Sequence, residues 1–370
     1  MSAPREQKDR FLLREALPKD LADVRRLAAI LHTVNLPDDV VVLRRIITAS
    51  RAAFAGKGPP LGREYLFVLE DRERERVVGT SLIFAQHGSR EAPHFYFDVL
   101  DEERYSATLG KHFKHIVLRL GANYDGPTEI GGLVLLPECR GDSAQLGKQL
   151  SYVRFLFMGA HPELFRRTVL SELLPPLLPD GTSPLWEHLG RKFTDLGYLE
   201  ADRLSKANKE FIRTLFPHSA VYASLFPKGV QRMIGQVGPR SRGVQRMLER
   251  IGFKYTHRID PFDGGPHYEA RLRDVALVRA TKRARVVIGA IAAGQGAQGL
   301  VARIGGGRVR FRALRAEVVP AGRSLRIDRE VARALQVRTG DTIVFTPFAP
   351  TPPHRTRGAT GAEAASGGAS

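Results

Sequence analysis

The stretch best equipped for chemistry runs from Glu129 to Met158, EIGGLVLLPECRGDSAQLGKQLSYVRFLFM. An apolar strand over Glu129–Leu136 leads into a polar turn holding Arg140, Gly141 and Gly147, and the turn opens a helix. Unpaired amides at a helix start and the positive end of its dipole attract a phosphate, and Arg140 adds a charge-assisted contact. The same residue types also serve strand–turn–helix connections that bind nothing. Cys139, the single cysteine, lies beside Arg140. A cationic neighbour and a helix start lower a thiol pKa, although an incidental cysteine is the simpler reading. One cysteine excludes an internal disulfide and any multi-cysteine metal cage.

The elements that must position this stretch read as mixed α/β. A short apolar run, Arg10–Arg14, precedes an amphipathic helix with apolar residues at Leu21, Val24, Leu27, Ala28 and Leu31. Tyr65–Glu70 and Val77–Ala85 flank the charged turn DRERER as a hairpin, and His94–Val99 is a further strand. After the helix KQLSYVRFLFMGA, Thr168–Leu174 is the next strand, so strand, glycine loop, helix and strand make a crossover unit. Pro184–Phe193 reads as one helix, in which Trp186 is a core residue rather than a ligand platform. A second helix, GVQRMLERIGF, ends at Gly252 and runs into the strand FKYTHRI. From Val275 the texture changes to short Val/Ile/Arg strands broken by glycine, a small antiparallel β module. The run GGGRVRFRALR alternates there, so its arginines are expected on one solvated strand face. Residues 351–370 are of low complexity and read as a disordered tail.

The 370 residues suffice for two domains. A hydrophobic content of 43% with 26% charged residues excludes wholesale disorder. No apolar run is long enough for a membrane span and no export signal opens the chain, so a cytoplasmic location is expected. The net charge of +18 is concentrated late: residues 271–357 hold 18 Lys/Arg against 5 Asp/Glu. A GC-rich genome produces that arginine excess with no ligand at all. A polyanionic cofactor is the second reading, and nucleic acid the weakest of the three.

Several blocks carry a resemblance: YLFVLED (Tyr65–Asp71), LGKQLSYVRFLFM (Leu146–Met158), SPLWEHLGRKF (Ser183–Phe193), Ala201–Asp202, IGQVGP (Ile234–Pro239) and LERIGFKYTHRIDPFDGGPHYE (Leu248–Glu269). With LQVRTGDTIVF near the end, they resemble the arginine N-succinyltransferase family over residues 10–350. The resemblance implies an α/β (α+β) acyl-CoA N-acyltransferase fold, GNAT-like, with a mixed sheet and flanking helices over 1–274. The β module then spans 275–350. It implies succinyl transfer from succinyl-CoA, a cosubstrate, to the α-amino group of L-arginine, with no prosthetic group and no metal. It also implies self-association or pairing with a sister subunit; neither nucleic acid nor a membrane is an expected partner. Leu133 is then the family's succinyl-CoA contact, on a strand whose backbone pairs with the pantetheine arm. Arg140, Gly141 and Gly147 belong to the pyrophosphate loop, which is a residue or two longer here than the usual spacing. Asp260, Asp263 and Glu269 are candidates for holding a guanidinium by bidentate pairing, while Asp263–Pro266 reads equally as a plain turn.

One departure matters. The family's IGQV.P motif carries a histidine before the proline, assigned as proton donor, and this chain has Gly238 there. Acid–base catalysis contributes about 100- to 10,000-fold, so its loss slows acyl transfer without abolishing it. Replacement candidates are His267, His218, His257 and Glu129, each of which also reads as an ordinary surface or core residue. The alternatives are a paralogue that acylates another amine or uses another acyl-CoA, and a non-catalytic protein that binds CoA esters or an acidic partner.

Overall fold

The computed structural model describes residues 9–31, 36–306 and 309–349; the tail expected over 351–370 lies outside the described residues. Strand β1 (Phe11–Glu15) enters helix α1 (Leu21–Leu31), which buries Val24, Leu27 and Ala28. Helix α2 (Val40–Phe54) is an addition to the expected elements. Its opening Val-Val-Val favours a strand, but Asp39 accepts the amides of Val41 and Val42 as an N-cap, and Leu43, Ile46, Ile47 and Ser50 are buried at helical spacing.

Strands β2 (Glu64–Asp71) and β3 (Arg76–Phe84) form the expected hairpin. Strand β4 (His94–Ser106) runs beyond the expected Val99, and β5 (Lys111–Asn123) pairs with it along its whole length. The crossover unit is present as β6 (Thr128–Leu135), α3 (Leu146–Ala160) and β7 (Thr168–Glu172). The helix expected over 184–193 is broken into α4 (Pro184–His188) and α5 (Gly190–Thr194). The break falls at Leu189 (φ −126°, ψ −73°), where Gly190 passes against the face of Trp186 too closely for a side chain.

Helices α6 (Tyr198–Ala207) and α7 (Glu210–Leu215), strand β8 (Val221–Tyr222) and helix α8 (Lys228–Met233) follow. Then come α9 (Arg242–Arg250), β9 (Lys254–Ile259), β10 (Pro266–Arg271) and α10 (Ala276–Ala280). The remainder is β11 (Lys282–Ile288), β12 (Ala297–Ile304), β13 (Phe311–Ala321), β14 (Ser324–Ile327), α11 (Arg329–Leu335) and β15 (Thr342–Pro347).

The principal sheet has the order β1-β2-β3-β6-β7-β10-β9-β4-β5-β8, and within it only β6 and β7 run parallel. The last five strands close on themselves as β12-β15-β11-β14-β13, with β13 returning to β12, and β13 also pairs with β1. The expectation of an antiparallel module needs correction: β11 and β14 are parallel, because the chain traverses β12 and β13 before returning beside β11. Nor do the described arginines of the run lie on one solvated face: Arg310, Arg312 and Arg315 are all half-buried. Arg312 donates to Ala334 O, and Arg315, of opposite parity on β13, donates to Ser143 O at 3.1 Å.

Two apolar cores flank the principal sheet and a third fills the closed ring. In the largest, Phe157 of α3 meets Tyr65, Phe67 and Phe311 at ring distances of 4.8–5.7 Å; truncating such a ring costs about 3–5 kcal/mol. In the second, Trp186 stacks on Phe262 at 4.9 Å and donates its Nε1–H to Leu196 O, so it is core as expected. The first turn is pinned by Arg14, which is buried and forks to Asp20 (2.6 Å) and Glu70 (2.8 Å). Among the described residues no helix is long and apolar enough to cross a membrane.

Candidate active site

The parallel strands β6 and β7 pair only at Thr128–Val169 and Glu129–Leu170 and then part. The backbone of Ile130–Leu133 thereby faces a cleft of about 180 Å³ instead of a neighbouring strand. On its other edge β6 carries a bulge: Thr80 faces Val134 while Leu82 faces Gly131. Gly132 sits there at φ +56°, where a Cβ would come within 2.6 Å of Leu82 Cδ1. Thr80 Oγ1 donates to Gly132 O at 2.9 Å and holds the bulge. A bulge beside a strand opening re-aims backbone groups into the gap, and Leu133, the expected acyl-CoA contact, lines it.

Below the cleft, the chain turns through Pro137–Ser143 into α3. Gly141 adopts φ +79°, and both Gly141 and Gly147 have open space where a side chain would stand. Arg140 is exposed, with Nε directed to Leu135 O. No side chain caps α3, and the residue before it, Gln145, is left-handed, so first-turn amides remain available to an anion. Asp142 takes the amide of Ala144. Burial, then Arg315 and Arg250, lower the Lys148 pKa. The turn before α3 is therefore lined with cations, one of them supplied by β13. Cys139 is buried, and burial raises its pKa, the opposite of activation.

The upper wall is acidic. Glu129, Glu172, Asp202, Asp260 and Asp263 all line the cleft. The turn reading of 260–265 and the carboxylate reading coexist. Asp260 Oδ1 accepts the amides of Phe262 and Asp263, and Asp263 Oδ1 accepts that of Gly265, while both side chains still face the cleft. Burial, then repulsion from Glu129, Asp260 and Asp263, pushes the Glu172 carboxyl well above its usual range; burial and Asp260 do the same for Asp263, and burial raises Asp260. Glu269 is raised by burial and is not part of the cleft lining.

Sequence reasoning named His267 and Glu129 but missed Glu172, His94 and His87. His94 Nε2 lies 3.0 Å from Glu172 Oε1, and His267 Nε2 lies 3.4 Å from the same oxygen. His87 Nδ1 stands 2.7 Å from Glu129 Oε2. His267 is fully buried, and burial, then the charge of His87, pushes its pKa down to about 3; burial also holds His94 well below the usual value. Burial thus favours the neutral form of both rings, and His94 Nε2 and Glu172 Oε1 stand at hydrogen-bond distance. His87, His94 and Glu172 also have ligand atoms within 4.8 Å of one another, a spacing compatible with a metal ion. A lone Glu in LSELL and a His after a proline carried no sequence signal; only strand pairing brings them together. His218 is exposed and bonded to Arg213 O, and His257 is exposed at φ +56° on β9; neither lines the cleft.

Gly238 borders this site. Its amide donates to Leu174 O at 2.9 Å, and a Cβ there would stand 2.5 Å from Pro175 O. The position has no room for a side chain in this backbone.

A parallel strand pair that opens beside a bulge, followed by a glycine turn and an uncapped helix start, is the arrangement expected of the acyl-CoA N-acyltransferase fold. The chain belongs to the arginine N-succinyltransferase family. The profile described as arginine N-succinyltransferase beta subunit matches residues 11–277, and that of its C-terminal domain matches residues 282–347. The chain is 36% identical over 284 residues to arginine N-succinyltransferase subunit alpha of Pseudomonas aeruginosa, covering 75% of this chain and 83% of that protein. It is 32% identical over 340 residues to arginine N-succinyltransferase of Photorhabdus laumondii, covering 90% and 97%. The solved structure of arginine/ornithine succinyltransferase subunit AI from Pseudomonas aeruginosa superposes with a TM-score of 0.79 at 31% identity, over 92% of this chain and 99% of that one.

Proposed function

We propose that this chain transfers succinyl from succinyl-CoA to the α-amino group of L-arginine. The observation that carries the reading is the acidic wall facing the β6–β7 opening. Glu172, Asp260 and Asp263 are half-buried in one cleft, an arrangement that raises their proton affinity and is relieved by a bound cation. A guanidinium offers the planar fork that carboxylates pair with best. CoA phosphates would lie at the cationic turn before α3, against Arg140, Gly141 and Gly147, and the pantetheine would run along β6 past Leu133.

The acceptor α-ammonium passes a proton to Glu172, whose second proton position is His94. The freed amine forms a bond to the thioester carbonyl carbon, backbone amides of β6 near Leu133 polarise the carbonyl oxygen, and the C–S bond breaks as the second proton of the attacking nitrogen passes to the departing sulfur, releasing CoA as its thiol. Glu172 thus takes over proton handling from the histidine that Gly238 replaces. Glu129 orients His87, and His267, backing Glu172 from beneath, holds that pair in place. In this reading residues 1–274 carry the chemistry, and the module over 275–350 contributes Arg315 to the phosphate end.

Assembly with a second subunit belongs to the same proposal. The outer part of the β4–β5 ribbon exposes Tyr105 (69%), Leu109 (65%) and Phe113, and a bare two-stranded ribbon is marginal in water.

The test is CoA-thiol release from succinyl-CoA by the purified full chain with and without L-arginine, with the product identified by mass spectrometry. Arginine-dependent release and an Nα-succinylated product are expected. Absence of both, from protein that CoA stabilises thermally, overturns the proposal in favour of another acceptor or a binding role.

A further inference from the structure

The cleft holds one cation that the chemistry above does not use. Arg154, in the middle of α3, is 2% exposed and lines the cleft together with Ile130–Leu133. Its only hydrogen bonds among the described residues go to Ser151: Nε to the carbonyl oxygen at 3.2 Å and a terminal nitrogen to Oγ at 2.9 Å. No described carboxylate lies within ion-pairing distance, and burial alone draws its pKa down to about 9. This contrasts with Arg14, equally buried, which is forked to two carboxylates. A guanidinium taken out of water and left unpaired is costly unless an anion arrives to meet it.

Three anions could arrive with the substrates: the CoA phosphates, the acceptor's α-carboxylate and a carboxylate on the acyl group. The phosphate end is the start of α3, and Arg154 lies eight residues further along, about 12 Å at 1.5 Å per residue. The acceptor belongs with the acidic wall, where the basic groups that bear on the carboxylates are Lys209 and His87. What remains beside Arg154 is the β6 segment, along which the acyl end of the thioester runs.

Resting on the acyl-CoA reading above, we propose that Arg154 anchors a carboxylate at the far end of the acyl group, so that the cleft selects dicarboxylic acyl-CoA esters over monocarboxylic ones of equal length. The selection is double: the carboxylate gains a fork-shaped partner, and an ester without it leaves a buried guanidinium uncompensated.

The experiment compares kcat/KM for succinyl-CoA and butyryl-CoA, which share a four-carbon chain, in the wild-type chain, R154M and R154K. Thermal-shift titration with both esters runs alongside, so that affinity is read even without turnover. Charge-assisted hydrogen bonds of this kind correspond to about tenfold to a hundredfold. R154M is expected to lower the succinyl/butyryl ratio by that factor, chiefly by loss with succinyl-CoA, and R154K to keep part of the preference. Should R154M fail to fold, R154K carries the test: loss confined to succinyl-CoA supports the proposal and an unchanged ratio overturns it. An equal fall with both esters assigns Arg154 to the CoA phosphates, and a rise in KM for arginine alone assigns it to the acceptor; either overturns the proposal. If arginine is not an acceptor but succinyl-CoA still binds more tightly than butyryl-CoA in an Arg154-dependent way, the function reading fails and this one stands.

Discussion

Reinstating the family histidine at Gly238 should harm this protein rather than repair it. In this backbone a Cβ at 238 meets Pro175 O at 2.5 Å and Leu174 O at 3.0 Å, and both obstacles are main chain, which cannot swing aside as a side-chain tip would. The segment must back away, and the hydrogen bond from Gly238 N to Leu174 O (2.9 Å) is what it would stretch. Overpacking costs typically about 1–3 kcal/mol and a weakened hydrogen bond about 1 kcal/mol, so G238A should lose about 2–4 kcal/mol and G238H at least as much. Because Leu174 lines the cleft, displacement should also lower kcat. Urea denaturation followed by circular dichroism gives the stability, and thiol release gives the rate. A G238A midpoint equal to wild type, or a G238H variant with raised kcat, would refute the steric argument and return the proton-donor role to this loop.

E172Q should lower kcat while leaving KM for succinyl-CoA nearly unchanged. Because the ionised carboxylate is the active form and its pKa is raised, wild-type activity should fall with decreasing pH well above pH 4–5, and the variant should lack that limb. A raised carboxyl pKa means the folded state holds the proton more tightly, so stability declines as pH rises through the window between the unfolded and folded values; E172Q should therefore be more thermostable at neutral pH, and equal or lower stability would count against the burial argument. R14M, which strands Asp20 and Glu70, should cost about 3–5 kcal/mol by chemical denaturation; a loss below 1 kcal/mol would show the network to be solvated. F113S and Y105S on the β4–β5 ribbon should lower the mass seen by light scattering without lowering the melting temperature of the isolated chain, and a wild-type monomer at tens of micromolar would remove the ribbon from the assembly proposal.

Local signals made much of the frame legible. The charged DRERER turn between two apolar runs, the apolar strand before Arg140, the glycine turn and the largely apolar α3 all announce themselves over short spans, because hydrophobic patterning and turn chemistry act locally. Where local preference was ambiguous, packing decided: Val40–Val42 begin a helix because Asp39 caps it and Leu43, Ile46 and Ile47 find the core. The chain's sequence also placed Leu133, Arg140, Gly141 and Gly147 on one strand–turn–helix unit, since these positions are near neighbours along the chain.

The rest belongs to tertiary structure. Glu129, Glu172, Asp260 and His94 come from four separate parts of the chain, and only the order β6-β7-β10-β9-β4 sets them around one opening. No periodicity could show that β6 and β7 pair for two residues and then part, because that depends on the register between strands some forty residues apart. Nor could it show that Arg154 is buried without a carboxylate or that Gly238 has no room for a side chain. Residue types and spacing along one element determine which chemistry is available; which groups are desolvated together, and so which charges wait for a partner, is set by contacts between residues distant in sequence.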